Sequence, residues 1–161
     1  MVEMTLTERY LRFFEGFSVD GKLKYRDFIR AMPAKRLRSV EVDFYDLLEY
    51  DSELANGLAD EPELHLNAMV EALKSFLRQI NEEYVEAMKK FYVRIRGIPD
   101  DYKVGLRDLR SEHIGKLVKV EGVILRVSPK FMRIIETVLV CPRCGATYRV
   151  MADEEGRIER R

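Results

Sequence analysis

LRDLRSEHIGKLVKVEGVILRVSPKFMRIIETVLVCPRCG, residues 106–145, is the stretch whose reading decides the fold. It opens on a helical pattern, passes into two runs with strand alternation and ends in a tight cysteine knuckle. In residues 115–127 the apolar positions are Leu117, Val118, Val120, Val123, Leu125 and Val127. From Val123 the alternation is clean, with Val123, Leu125 and Val127 on one face and Ile124 and Arg126 on the other. Gly115 and Gly122 interrupt it, as glycines do at bulges and at bends where another backbone comes close. Short, twisted, glycine-bent strands are the material of small barrels. Residues 103–133 hold eight Lys or Arg against three acids, Asp108, Glu112 and Glu121. A small barrel with a basic face suits a negative backbone such as nucleic acid. The alternative is that these cations solvate one face of an ordinary sheet.

Outward from this stretch, composition sets bounds. The chain has 161 residues, 47% hydrophobic, enough for one substantial core or two small ones. Its 28 basic and 28 acidic residues cancel, so total charge says nothing about partners. Their distribution does: residues 1–96 hold 15 basic and 18 acidic residues, and residues 97–161 hold 13 and 10. An acidic N-terminal part precedes a basic C-terminal one. No apolar run reaches membrane-spanning length, and the N-terminus lacks a secretory signal, which predicts a soluble intracellular protein. Two cysteines, two residues apart, make no disulfide framework and fit a reducing compartment.

Upstream, residues 5–17 read as an amphipathic helix with Thr5 and Glu8 as a capping box; its aromatic stripe reads as core. Residues 25–32 form a second helix, stopped by Pro33, and the basic turn Lys35-Arg36-Leu37-Arg38 follows. Residues 39–42 alternate like a short strand. Residues 43–58 read as one helix, with Asp43 at its cap. A long helix of about seven turns is expected from Pro62 to Phe91. Residues 41–71 hold ten acids and no Lys or Arg, read as a solvated face or a docking surface. The period changes to two at residues 91–96, and the domain boundary is placed there.

Cys141-Pro142-Arg143-Cys144-Gly145 carries the sharpest local chemistry. Two thiolates at this spacing point at one tetrahedral zinc. A thioredoxin-like redox pair would need a helix next, but Ala146 to Met151 is strand-like. A ribbon needs four ligands, and His65 and His113 lie in other segments. Either the second knuckle lies beyond Arg161, which is the favoured expectation, or a second copy completes the site, or the thiols are free.

These motifs resemble the N-terminal region of archaeal minichromosome maintenance (MCM) replicative helicases. The resemblance is carried by Leu106 to Arg110, by His113 to Val123, by Arg126-Val127-Ser128 and by Val140 to Gly145, with weaker agreement over residues 42–47 and at Pro62. It implies an α+β fold: a helical bundle (1–96), part of an OB-fold β-barrel (97–140) and the first half of a zinc ribbon (141–161). It further implies single- or double-stranded DNA as ligand, hexameric rings that sometimes pair head to head, and other replication proteins docking on the bundle. By position, Arg126 matches a basic DNA-binding residue of the family; Lys130, Arg133, Lys116 and Lys119 are the accompanying candidates. Cys141 and Cys144 would be two zinc ligands, with two more from elsewhere. The implied location is cytoplasmic, at the archaeal nucleoid. No Walker A loop is present: the only Gly-Lys, Gly115-Lys116, is followed by Leu117, and Arg110 stands where a P-loop needs Gly. The chain itself is therefore read as non-enzymatic, its parent as an ATP-driven, ATP-binding DNA helicase. A rival reading is a protein-interaction module without DNA contact, and a weaker one a thiol oxidoreductase.

Overall fold

The computed structural model describes residues 4–88, 90–132 and 134–152. They fall into two compact units, Met1–Gly122 and Val123–Arg161. The first contains α1 (Leu6–Gly16), β1 (Ser18–Val19), β2 (Lys22–Leu23), α2 (Lys24–Lys35), β3 (Ser39–Asp43), α3 (Phe44–Tyr50), α4 (Ser52–Asp60), α5 (Pro62–Ile80), α6 (Glu82–Met88) and β4 (Tyr92–Arg96). Two 3-10 turns, Asp100–Tyr102 and Ser111–His113, complete it. The second unit contains β5 (Glu136–Val140) and β6 (Thr147–Met151).

At α1 the capping box forms: the Glu8 N–H donates to Thr5 Oγ1 at 3.3 Å, and the Thr5 N–H donates to Glu8 Oε2 at 2.9 Å. Tyr10, Phe13 and Phe14 are buried, and Phe13 stacks against Tyr25 with centroids 4.8 Å apart. The aromatic stripe is core. Asp20 (φ 51°) and Gly21 (φ 76°) make the two-residue turn of the β1–β2 hairpin, where positive φ is needed at both positions.

Three helix boundaries differ from expectation. Pro33 lies inside α2, whose end falls at Lys35. A proline so near the end removes one ladder bond, and the closing bonds compensate: the Leu37 N–H donates to the Met32 carbonyl at 3.1 Å, the Arg36 N–H to that of Pro33 at 3.2 Å. Residues 43–58 are not one helix. Asp51 adopts extended geometry between α3 and α4, and its carboxylate accepts from the Glu53 and Leu54 amides. The long helix is likewise split at Asn81, whose side chain accepts from the Tyr84 amide at 2.9 Å. In both places a short polar side chain satisfies the next helix's first donors, which continuous helix would leave without benefit from it.

β3 and β4 pair in parallel, Ser39 opposite Tyr92 through Asp43 opposite Arg96. Val40 and Val42 face the core and are buried, while Ser39, Glu41 and Asp43 alternate outward. The helices between them form the crossover, so the first unit is helices closed by a two-stranded sheet. Leu47, Leu54, Leu58, Met69, Leu73 and Leu77 fill the core.

Residues 97–122 pack in this same unit. The Leu117 N–H donates to the Ala59 carbonyl at 2.9 Å, and the Tyr102 ring meets Phe44 edge-on at 5.5 Å. The helical pattern at residues 106–114 becomes a turn and a 3-10 segment. Arg110 is the reason: its Nη1 donates to the Arg107 and Leu109 carbonyls, and its amide donates to His113 Nδ1 at 3.1 Å. Those groups would otherwise extend a helix.

The alternating run at residues 115–127 does not form barrel strands. Its one ladder contact is the parallel bridge Lys103–Lys119. Val123 and Leu125 are 84% and 93% exposed. Alternation supplies an apolar face, but a strand also needs a neighbour for its N–H and C=O groups, and none pairs there among the described residues. β5 and β6 do pair, antiparallel, from Glu136 opposite Met151 to Val140 opposite Thr147.

Candidate nucleic-acid interface

The candidate cations divide by unit. Lys116 and Lys119 belong to the first; Arg126 and Lys130 belong to the second; Arg133 lies outside the described residues. Lys116, Arg126 and Lys130 are exposed and form no ion pair among the described residues. Lys119 is different. Its Nζ lies 2.5 Å from Asp100 Oδ1 and 3.4 Å from the Ile98 carbonyl. That ammonium holds the Asp100 carboxyl below its usual range. Lys103, its bridge partner, pairs with Glu121 at 2.8 Å. The sequence treats these lysines alike; the fold commits Lys119 to an internal pair and leaves Lys116 to solvent. Arg110, unmarked by spacing, is a backbone clip. Phe131 is 84% exposed.

The acids of residues 41–71 are largely occupied by structure. Asp43 accepts from the Tyr45 amide at 3.1 Å. Asp51 pairs with Arg9 at 2.6 Å, and Glu53 with the same guanidinium at 2.7 Å. Asp46 accepts from Lys24 and from the Tyr25 hydroxyl. A cleft of about 550 Å³ beside β3 is lined by Lys24, Tyr25, Phe28, Glu41, Asp43 and Arg96, among others. Its charges compensate one another, since Arg96 lies 3.6 Å from Asp43 and 3.7 Å from Glu41.

The cysteine pair sits in the turn of the β5–β6 hairpin. The Cys141 N–H donates to the Ala146 carbonyl at 2.8 Å, the Gly145 N–H to that of Cys141 at 2.9 Å, and Gly145 has φ 70°. N–H donation from Cys144, then from Arg143, with the Cys144 thiol in addition, holds the Cys141 thiol below its ordinary value. Such a thiolate is the form that ligates a soft divalent metal. Strand follows the pair, where the redox motif requires helix. The donor set fits half of a tetrahedral site. His65 is buried and engaged with the Tyr10 hydroxyl at 2.6 Å, and His113 with the Arg110 amide. Among the described residues no group of three or more His, Cys, Asp or Glu side chains is placed to hold a metal.

A helical unit closed by a short sheet is followed along the chain by a basic segment and a cysteine hairpin. A family model described as the MCM N-terminal domain matches residues 7–97, and one described as the MCM OB domain matches residues 104–158. The chain belongs to the MCM family. It is 31% identical over 148 residues to the minichromosome maintenance protein MCM of Saccharolobus solfataricus, covering 91% of this chain and 21% of that protein. It is 26% identical over 136 residues to the DNA replication licensing factor MCM2 of Arabidopsis thaliana, covering 84% of this chain and 14% of that one. The chain thus spans about a fifth or less of these relatives, and plant as well as archaeal proteins match it. In fold it is similar to a crystal structure of the N-terminal domain of an archaeal MCM, with TM-score 0.69 and 21% identity, over 97% of this chain and 60% of the other.

Proposed function

We propose that this chain is the DNA-gripping and ring-assembly portion of an ATP-dependent replicative helicase that works at the archaeal nucleoid. The family assignment carries this reading, and Arg126, Lys130 and Lys116, exposed and without an ion pair among the described residues, support it. These groups would neutralise phosphates of single-stranded DNA, releasing counterions as they do so. Lys119 contributes less, because binding phosphate would require giving up Asp100. ATP hydrolysis is assigned to residues outside this chain, which has no Walker A loop. Ring formation into hexamers, and docking of other replication proteins on the helical unit, belong to the same proposal.

Cys141 and Cys144 would supply two thiolates of a structural zinc site, the other ligands coming from outside these residues. The zinc would lock the hairpin turn in place. In this role the amides of Cys144 and Arg143, which lower the Cys141 pKa, favour its thiolate form.

Fluorescence anisotropy with a labelled single strand tests the reading. Arg126→Ala should weaken binding several-fold at constant salt. Unchanged affinity would remove Arg126 from the interface. The second reading, a protein-interaction module, rests on the exposed apolar run Val123, Ile124, Leu125 and Val127. Sedimentation against concentration separates the two: DNA-dependent assembly supports the first, concentration-driven assembly indifferent to DNA the second.

A further inference from the structure

β3 is paired on one side only. Its partner is β4, and among the described residues the two make a sheet of their own. The Tyr92 N–H donates to the Arg38 carbonyl at 2.9 Å, so the backbone groups of Arg38, Val40 and Val42 face β4. Those of Ser39, Glu41 and Asp43 face the other way. Asp43 shows this directly, because its N–H donates to the Tyr25 hydroxyl at 3.0 Å on the side away from β4. Ser39 and Glu41 have no such partner: no backbone group pairs with theirs on that side among the described residues. This open edge borders the cleft beside β3, whose lining includes Ser39, Glu41 and Asp43 and, from α2, Tyr25 and Phe28.

The cleft has an apolar part and a charged one. Phe28 and Leu37 line it, and Phe28 is 39% exposed although large and apolar. On the solvent face of the sheet, Ser39, Glu41 and Asp43 alternate with the buried Val40 and Val42. Glu41 lies opposite Arg94, and Asp43 opposite Arg96. That face therefore carries an acidic row along β3 and a basic row along β4. Arg96 reaches Glu41 only at 3.7 Å, and the Glu41 side chain is 58% exposed. Lys24, the other cation of the lining, is taken up by Asp46. A strand laid along the open edge would continue the order of rows. Its outward residues would fall beside Glu41 and Asp43, where opposite charge stabilises, and its inward residues over Phe28.

We infer that the open edge of β3 docks an extended segment of a partner protein, in which basic residues alternate with apolar ones, by adding it to the sheet as a third strand. The inference gives a place and a chemistry to the protein docking proposed for the helical unit and rests on that reading. It does not depend on Arg126 and Lys130, which lie in the other unit. Backbone bonds to Ser39 and Glu41 supply affinity, and Glu41 and Phe28 supply selectivity. Two other occupants fit the edge less well. DNA would bring its phosphates against Glu41 and Asp43. A second copy pairing through the same edge would set these acids against their counterparts, and like charges directly opposite are destabilising. The acidic row thus guards the edge against self-association and selects a basic strand.

The test is fluorescence anisotropy on the full chain with a labelled, capped peptide of alternating lysine and valine, about seven residues long, and with its glutamate–valine counterpart. The lysine peptide should bind, and the glutamate peptide should bind at least about fivefold more weakly. Glu41→Lys should reverse that order, and its gain for the glutamate peptide also shows that the variant is folded. If Glu41→Lys is misfolded by thermal melt, Glu41→Gln replaces it, with a loss of at least about twofold for the lysine peptide. Amide hydrogen exchange at Ser39 and Glu41 should slow when the lysine peptide is bound. No binding of that peptide, or binding indifferent to the change at Glu41, would overturn the site. Protection at other amides of the helical unit instead would overturn the β3 edge while leaving protein docking on that unit standing. Protection of Ser39 and Glu41 that grows with chain concentration in the absence of peptide would assign the edge to a second copy and overturn the proposal. Protection of the same two amides by a DNA duplex would overturn it in favour of nucleic acid.

Discussion

At residue scale, Gly57 and His65 depend on each other. A Cβ on Gly57 would lie 2.5 Å from both Cε1 and Nε2 of the His65 ring, and that ring is fixed by its hydrogen bond to Tyr10. Alanine has better helix propensity, by about 1 kcal/mol. The clash outweighs it, so Gly57→Ala should destabilise the chain by about 1–3 kcal/mol, read from urea denaturation. His65 also sets a pH response. Burial, with Arg9 nearby, lowers its pKa below the ordinary 6.5, although Glu61 opposes the shift. The unfolded chain therefore takes up the proton first. Stability should be fully present above pH 6.5 and decline as pH falls from there through the lower folded-state value. His65→Gln should flatten that part of the profile; a profile unchanged by this substitution would assign the dependence to other groups. Nothing in the sequence around either residue reveals the pairing, because it joins two helices through a contact that local periodicity does not encode.

At the scale of elements, the legible features were those whose cause is local. The Thr5–Glu8 capping box and the aromatic stripe of α1 are both written within a few residues. The breaks at Asp51 and Asn81 were equally local in chemistry, but the apolar stripes continue across them and mask the change of direction. Asp51 caps α4 and holds Arg9, so Asp51→Ala should cost about 1–2 kcal/mol; a loss below about 0.3 kcal/mol would show that the break is set elsewhere. At the end of α2, Arg36 occupies a left-handed position that favours glycine. Arg36→Gly should raise stability by about 1 kcal/mol in the same denaturation assay, with no gain if the arginine's own contacts matter more. Val123 to Val127 shows the reverse case: the pattern was read correctly, yet it is not a strand here, because pairing is a property of two segments.

For the whole molecule, family membership was legible because the motifs from Leu106 to Gly145 occur together, and the matches over residues 7–97 and 104–158 bear it out. The parallel pairing of β3 with β4 was not, since it joins segments separated by four helices. The site was legible only as a set of candidates. Sequence ranks Lys116 and Lys119 together, and only coordinates show that one is exposed and the other paired with Asp100. It also describes Lys35 to Arg38 only as a basic turn, because Lys90 is brought beside it by the fold alone. No helix among the described residues is long and apolar enough to cross a membrane.

The central claim is that exposed cations of the OB segment hold single-stranded DNA through its phosphates. Its most direct test is the slope of log affinity against log salt for a single strand, measured for the wild-type chain, for Arg126→Ala and for Lys130→Ala. The account predicts a steep negative slope that becomes shallower by about one unit with each substitution. A flat slope, or one that neither substitution changes, would contradict it.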